Sequence, residues 1–310
     1  MMVFDEYPLC SHETSLSDFL FFKGSHLQLT NSPVQTFLMA RNCSHQIIAE
    51  FHCNVDVAGC WVSLLKAPFG GLTFQENCTN SELIFMLHSI RDWLARSSCK
   101  TLIIKTPPSC YYLEIHEKTH WNYINTGFNP FRTLINQYIL VTETQFTTVI
   151  SSTAARRLRK TLNAGFKATL DMNTPSAQIY SFIYKCHTQK GYPLPVSQEE
   201  LAKLTQTFPN HFLTFTASHK SVIVAVIIAV RVAPHVLYLF LSDYDNAYAA
   251  FSPIILLTQC LYEHCQQEDC QILDLGTSLD HLGNEKESLS RFKRNLGARE
   301  CMKITYRCEI

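Results

Sequence analysis

The most coherent pattern of apolar and polar positions runs from Val236 to Ala298. It opens with the apolar run V-L-Y-L-F-L, which is typical of a buried strand. Pro253 then suits the first turn of a helix, because its missing N–H costs nothing there, and Ser252 is the predicted N-cap. Apolar steps of three and four residues predict one buried helix face, formed by Ile254, Leu257, Leu261 and either His264 or Cys265.

A short second strand in the same stretch ends at Asp274 and Gly276. Ligands of open α/β sheets usually lie at the carboxyl ends of strands. A helix N-terminus also carries partial positive charge. The strand, loop, helix N-terminus and second strand therefore predict a cradle for an anion.

The same order of elements is predicted nearer the N-terminus. The predicted elements are strands at Ile47–Val57 and Trp61–Lys66, a helix at Ser81–Ser97, and strands at Thr101–Lys105 and Gln137–Val141. This repetition predicts a duplicated fold with domains at residues 1–145 and 146–310. One or two short helices are predicted within residues 1–45.

A basic helix is predicted at residues 151–165, because small hydroxyl residues precede it and a glycine follows it. Beyond this helix, the pattern predicts two more helices and three strands. They are the helices Ser176–Gln189 and Gln198–Thr207 and the strands Phe212–Ala217, Val222–Val232 and Met302–Cys308.

Length and composition fit a globular protein of two domains, since the chain has 310 residues and 46% of them are hydrophobic. Residues 1–145 carry a net charge of −3 (9 basic against 12 acidic), and residues 146–310 carry +3 (17 against 14). The basic bias suits a phosphate-bearing ligand but is too small to indicate a partner such as duplex DNA.

The first residues, M-M-V-F-D-E-Y, do not resemble a signal peptide. The longest apolar run, Val222–Val230, has about half the length of a membrane-spanning helix. The 13 cysteines form no C-x-x-C pair, which favours reduced thiols over a disulfide framework. We therefore expect a cytoplasmic protein with no membrane span.

Three segments resemble the GNAT acyltransferase superfamily, and more narrowly the FemAB-type and related tandem-GNAT transferases. They are R-R-L-R-K from Arg156, Y-I-N-T-G-F from Tyr123, and R-F-K-R-N-L-G-A from Arg291. The resemblance implies an α/β (α+β) fold of two GNAT-like domains in tandem. Each domain would be a mixed, mainly antiparallel sheet flanked by helices.

The resemblance also implies that the loop Asn246–Pro253 binds an acyl-CoA such as acetyl-CoA as co-substrate. GNAT domains usually hold the pyrophosphate on a Q/R-x-x-G-x-G/A loop, whereas this loop has no glycine. The implied donor-binding residues are Ala249, Ala250, Phe251, Ser252, Asp274, Ser278 and Phe292. An ordinary strand-to-helix turn is the alternative interpretation of the loop.

Lys293 is the implied catalytic residue, because FemAB-like transferases place the lysine of the F-K pair near the reacting ester. A fixed donor to the oxyanion of acyl transfer typically contributes about 3–4 kcal/mol. Alternatively, Lys293 belongs to the solvated face of a helix with Arg291 and Arg294. The proton of an attacking amine could go to a residue at or after a strand end, namely Asp243, Tyr248 or Asp274. Aspartates at such positions are also common turn residues.

Arg156, Arg159 and Tyr192 are the predicted substrate-binding residues. Arginine side chains suit phosphates, although exposed basic helices often have no ligand. The sequence from His116 to His120 matches the zinc motif H-E-x-x-H. No third ligand is evident, and a GNAT domain has an ordinary helix there, so no metal is predicted.

The predicted function is transfer of an acyl group from acyl-CoA to a small-molecule or peptide-like amine in the groove between the domains. One alternative is a FemAB-like transferase that uses aminoacyl-tRNA to extend a cell-wall precursor, in which case tRNA is a partner. The other is a non-catalytic interaction module with a degenerate GNAT fold, which the missing glycines of the donor loop favour.

Overall fold

The structure, a computed structural model, describes residues 2–8, 16–29, 32–41, 46–97 and 100–310. The chain divides into two compact units. The first comprises Met1–Leu134 together with Cys301–Ile310, and the second comprises Ile135–Glu300.

Up to Asn125, the described residues of the first unit form six strands and three α-helices. In chain order its elements are β1 (Met2–Pro8), α1 (Gly24–Leu27), β2 (Gln35–Arg41), β3 (Gln46–Val55), β4 (Trp61–Val62), β5 (Leu72–Phe74), α2 (Asn80–Leu94), β6 (Thr101–Lys105) and α3 (Leu113–Asn125). Helix α1 confirms a short helix within residues 1–45. Of these residues, 1, 9–15, 30–31 and 42–45 lie outside the described ones. Strands β1 and β2 are not predicted by the local pattern, because their pairing with each other and with β3 decides their conformation.

The second unit holds the longer strands and most of the helices. From Asn129 to the end of the chain the elements are β7 (Asn129–Leu140), α4 (Phe146–Val149), α5 (Ser152–Asn163), β8 (Lys167–Leu170), α6 (Ser176–Gln189), α7 (Gln198–Thr207), β9 (Phe212–His219), β10 (Val222–Ala233), β11 (Val236–Tyr244), α8 (Pro253–Gln267), β12 (Ile272–Thr277), α9 (Glu287–Asn295) and β13 (Arg299–Glu309). The start of β7 and most of β13 belong to the first unit.

Both units have the same strand topology. The order is β1-β2-β3-β4-β6-β13 in the first unit and β8-β9-β10-β11-β12-β7 in the second. The fourth and fifth strands of each order, β4 with β6 and β11 with β12, are parallel, and the other neighbours are antiparallel. A helix, α2 or α8, connects each parallel pair, as such a pair requires. The predicted duplicated fold with mixed, mainly antiparallel sheets is thus confirmed.

The closing strand of each sheet comes from a distant part of the chain. Strand β13 pairs antiparallel with β6 in the first unit, and β7 pairs antiparallel with β12 in the second. The compact units therefore differ in their bounds from the predicted domains 1–145 and 146–310. Hydrogen bonds between strands that are far apart in sequence produce this difference.

Local signals in the second unit place its helices where the sequence predicts them. Ser151 caps α5 by accepting a hydrogen bond from the Ala154 amide at 3.2 Å, and Gly165 follows the helix at φ +83°. The predicted apolar face of α8 is also confirmed, since Leu257, Leu261 and Cys265 are fully buried in the core.

Candidate active site

The parallel strands β11 and β12 pair over only three residues, from Val236 with Ile272 to Tyr238 with Asp274. Beyond these pairs β11 continues to Tyr244, while β12 continues against β7. A register shift between Asp274 and Gly276 accompanies this departure. The carboxyl ends of two neighbouring strands therefore separate, and this divergence is the candidate site.

Lys293 lies on α9 and is only 6% exposed. Its Nζ donates to the carbonyl oxygens of Gly276 at 2.9 Å and Thr277 at 2.8 Å, at the carboxyl end of β12. Burial lowers the pKa of Lys293 to about 8, although the nearby Asp274 carboxylate opposes this shift. The solvated helix face is made by Arg291 and Arg294 without Lys293, because those two side chains are exposed.

Asp274 accepts hydrogen bonds at one carboxylate oxygen from Asn136 Nδ2 and from the Gly276 amide, both at 2.7 Å. The aspartate is nearly inaccessible to solvent. It therefore holds the bend of β12 at Gly276, whose φ of +72° suits a glycine. This contact supports the structural interpretation of Asp274 as a turn residue.

Ser278, just after β12, is buried and donates to Gln137 Oε1 at 2.7 Å. Gln137 Nε2 donates in turn to Ser290 Oγ at 3.1 Å. This chain of side chains ties the end of β12 to β7 and α9. The Ser278 hydroxyl therefore already donates its hydrogen bond to a side chain of the protein.

The predicted donor loop is a 3₁₀ helix, Asn246–Phe251. Ala249 and Ala250 are exposed, while Phe251 and Ser252 are half-buried. Ser252 occupies the N-cap position of α8, but it is left-handed at φ 54° and its side chain forms no capping hydrogen bond. The predicted N-cap position of Ser252 is therefore confirmed, but the side chain does not cap the helix, because this backbone conformation differs from the extended one of a capping serine.

The basic helix α5 contacts this loop through two of its residues. Lys160 Nζ donates to the Ala250 carbonyl at 3.1 Å and lies 4.9 Å from the centre of the Phe251 ring. The Thr161 hydroxyl donates to the Phe251 carbonyl. These contacts turn loop carbonyls toward α5 and give Lys160 a structural role.

Phe292 packs against the core of the second unit and lines a small void with Ala154, Ile255 and Leu296. Its ring therefore joins α9 to α5 and α8. This packing explains why an apolar residue precedes the buried Lys293.

Asp243, at the end of β11, is 4% exposed and belongs to a charged cluster. It forms an ion pair with Lys190, accepts from the Tyr244 amide at 2.7 Å, and lies 3.5 Å from His187 Nε2. The Lys190 ammonium also lies 4.1 Å from the centre of the Tyr244 ring. Asp243 is thus a partnered buried carboxylate with two basic neighbours.

Tyr192 extends this cluster, because its hydroxyl accepts from Lys286 Nζ at 2.9 Å. Its backbone amide donates to the His187 carbonyl at 3.0 Å. We call Asp243, His187, Lys190, Tyr192 and Lys286 the Asp243 cluster. No motif in the sequence marks His187, Lys190 or Lys286, because their partners lie far away along the chain.

The remaining predicted residues lie outside this cluster. Tyr248 packs its ring 5.8 Å from the rings of both Phe166 and His219. Arg156 and Arg159 are exposed on α5. The structure therefore brings Tyr192 and Asp243 together, but it does not add the two arginines to them.

The H-E-x-x-H sequence lies on α3, where the His116 and His120 rings are 6.4 Å apart. His120 Nδ1 is 2.6 Å from the Tyr306 hydroxyl. Within the described ranges, no group of three or more histidine, cysteine or acidic residues could hold a metal ion.

The comparisons with known proteins agree with this architecture. Residues 152–294, which lie within the second unit, match the family model for the acetyltransferase (GNAT) domain. No curated protein matches the chain in sequence.

Solved structures extend the likeness to both units. The structure of FemX has a TM-score of 0.68 and 10% identity, over 91% of this chain and 89% of FemX. A tandem GNAT protein from the clavulanic acid biosynthesis pathway has a TM-score of 0.57 and 9% identity, over 100% and 98% of the two chains. L-PGS from Bacillus licheniformis has a TM-score of 0.57 and 11% identity, over 96% and 88%. At these identities the likeness is one of fold, and the fold is that of tandem GNAT proteins.

Among the helices of the described residues, none combines the length and the apolar character that crossing a membrane requires.

Proposed function

We propose that this protein is an N-acyltransferase that moves an acyl group from acyl-CoA to an amine. In this proposal the acyl donor lies at the divergence of β11 and β12, with its phosphates toward Ala249 and Ala250. The family description of residues 152–294 as an acetyltransferase domain supports acetyl-CoA as the first donor to test.

The observation that carries the proposal is the buried ammonium of Lys293. An ammonium has three N–H donors, and two of them bind the carbonyls of Gly276 and Thr277. In this proposal the third donor binds the carbonyl oxygen of the thioester. As the amine attacks, that oxygen gains negative charge, and a fixed cation in a buried site stabilises it.

The chemical step needs no covalent enzyme intermediate. The amine nitrogen forms a bond to the acyl carbon, the bond from that carbon to sulfur breaks, and CoA leaves as a thiolate. One proton must leave the amine nitrogen, and the thiolate can take up a proton. The proposed proton acceptor is Asp243, because it lies at the diverging end of β11 within a cluster of titratable side chains.

Donor binding is tested by calorimetric titration of the full chain with acetyl-CoA. Replacing the exposed Ala250 with aspartate is expected to weaken binding about tenfold, because a carboxylate would then repel the donor phosphates. Ala177→Asp is the matched control, since it adds the same charge at an exposed position in the first turn of α6. Absence of binding to acetyl-CoA and longer acyl-CoAs, or equal weakening by both variants, would contradict the proposed donor site.

The proton acceptor is tested by the release of CoA thiol in the presence of an amine acceptor. Asp243→Asn is expected to lower kcat at least a hundredfold, because the amide cannot accept the proton of the attacking amine. Tyr248→Phe is expected to change kcat less than threefold, because the Tyr248 ring contacts other rings and would remain packed. A loss of kcat in Asp243→Asn no larger than that in Tyr248→Phe would exclude Asp243 as the acceptor.

A further inference from the structure

We propose that the first unit holds a ligand site of its own, for an aromatic small molecule of about two fused rings with a neutral or cationic polar end. The site is a cavity of about 280 Å³ beside α3. Aromatic and aliphatic side chains form most of its wall, among them Phe19, Phe22, Leu72, Phe74, Tyr111 and Tyr123. This proposal does not depend on the acyltransferase proposal, which concerns the second unit.

The volume sets the size of the ligand. An engineered apolar cavity of about 150 Å³ in another protein binds benzene. The cavity of the first unit is roughly twice as large, which suits two fused rings. Larger groups such as a complete CoA molecule exceed it.

The aromatic wall is rigid because its rings contact one another. Phe19 lies 5.9 Å from Tyr111 and 5.7 Å from Tyr112, measured between ring centres, and it contacts Phe69 at 5.0 Å. Rings at such distances present both faces and edges to a ligand, and aromatic ligands gain from both. A preformed wall also costs little ordering on binding.

Thr119 supplies the polar contact. It lines the cavity and is only 7% exposed, yet its Oγ1 has no hydrogen-bond partner among the described residues. A threonine on a helix or at its end can donate to the carbonyl four residues earlier, as the C-cap residue Thr126 does to Asn122 at 2.7 Å. Thr119 does not, so a ligand group in the cavity would supply the partner that a buried hydroxyl requires.

His116 lines the cavity from the same face of α3, three residues before Thr119. Burial and the neighbouring His120 lower the pKa of His116, which favours the neutral form of its ring. A neutral imidazole can donate or accept a hydrogen bond without attracting an anion.

The charges at the cavity decide against an acidic ligand. Its described lining contains the carboxylates of Asp18 and Glu76, both exposed, and neither lysine nor arginine. The nearby ammonium of Lys118 is outside the lining, where it donates to the Cys78 carbonyl. The lining therefore disfavours phosphates and carboxylates and tolerates or favours a cation.

Three probes that share a naphthalene ring system and differ in their polar group test the charge preference of the cavity. Their binding is measured by calorimetry on the full chain. We expect naphthalenemethanol and naphthalenemethylamine to bind with one-to-one stoichiometry. Naphthoate, which is anionic, is expected to bind at least tenfold more weakly. Absence of saturable binding by the alcohol and the amine, or equal binding of naphthoate, would overturn the proposal.

Thr119→Val keeps the shape of the side chain and removes the hydroxyl. It is expected to weaken binding of naphthalenemethanol by about threefold to tenfold, the factor that one hydrogen bond carries. The melting temperature without ligand should stay constant or rise, because an unpartnered hydroxyl is removed. If Thr119 had only a structural role, its replacement by valine would lower the melting temperature.

Thr126→Val is the matched control, since Thr126 is also buried, at the C-cap of α3, but its hydroxyl bonds to the Asn122 carbonyl and it does not line the cavity. It is expected to lower the melting temperature and leave the affinity for naphthalenemethanol unchanged. An equal loss of affinity in both variants, or no loss in Thr119→Val, would exclude Thr119 as the polar contact and overturn the proposed site.

Discussion

Replacing Lys293 with methionine is expected to lower kcat/KM for acyl transfer by about a hundredfold to a thousandfold, the usual effect of losing one donor to an oxyanion. Methionine has a similar length and is apolar, so it can occupy the buried path of the lysine stem. The measurement is the rate of CoA thiol release at several donor concentrations. An effect on KM alone would mean that Lys293 binds the donor without stabilising the transition state.

The pH dependence supplies a control for this prediction. Because the pKa of Lys293 is about 8, its ammonium is present below that pH and is lost above it. Wild-type kcat should therefore fall above about pH 8, whereas the residual rate of Lys293→Met should not show this fall. A parallel fall in both proteins would assign the titration to another group and contradict the proposed role.

Stability should change in the opposite direction to activity over the same pH range. The pKa of Lys293 is about 8 in the folded chain and 10.5 when unperturbed, so the unfolded chain binds more protons between these values. The free energy of unfolding of the wild type, relative to Lys293→Met, should therefore rise by about 1.5 kcal/mol between about pH 8 and about pH 9.5. Urea unfolding at the two pH values measures this difference.

Gly297→Ala is expected to destabilise the protein by about 3–5 kcal/mol, which makes it the most damaging single methyl addition that we predict. Gly297 has a φ of +82°. A Cβ there would lie 2.5 Å from Val149 Cγ1 and 2.6 Å from the Val149 carbonyl oxygen. Because that oxygen belongs to the backbone, rotation of a side chain cannot relieve the clash.

Gly165→Ala is the control that separates the cost of the positive φ from the cost of the clash with Val149. Gly165 has nearly the same φ, +83°, but a Cβ there meets nothing within 4 Å. It should therefore cost only the conformational part, about 1–2 kcal/mol. Urea unfolding of both variants gives the comparison, and equal losses would show that the approach to Val149 does not constrain Gly297.

Local sequence signals predicted the helices of the second unit well. Helices α6 and α7 have the predicted bounds, Ser176–Gln189 and Gln198–Thr207. For α7 the reason is visible in a capping box, in which Ser197 and Glu200 satisfy each other's backbone amides. Such contacts span three residues, so the sequence shows both partners at once.

The candidate site was predicted less completely. The F-K pair singles out Lys293 from its basic neighbours by resemblance, but its burial depends on α9 packing over the end of β12. The partners of Asp243 were not predicted, because Lys190 lies 53 residues before it in the chain. The basic character of α5 suggested ligand contacts, yet Lys160 binds the Ala250 carbonyl.

The sequence alone determined the repeated order of strand, helix and strand, since periodicity, caps and turn residues act within a few positions of one another. Only the tertiary structure decided which strand closes each sheet, with β13 beside β6 and β7 beside β12. It also decided that Lys293 is buried and that Asp243 is paired with Lys190. These features rest on hydrogen bonds and burial between residues far apart in the chain, and such contacts leave no periodic pattern in the sequence.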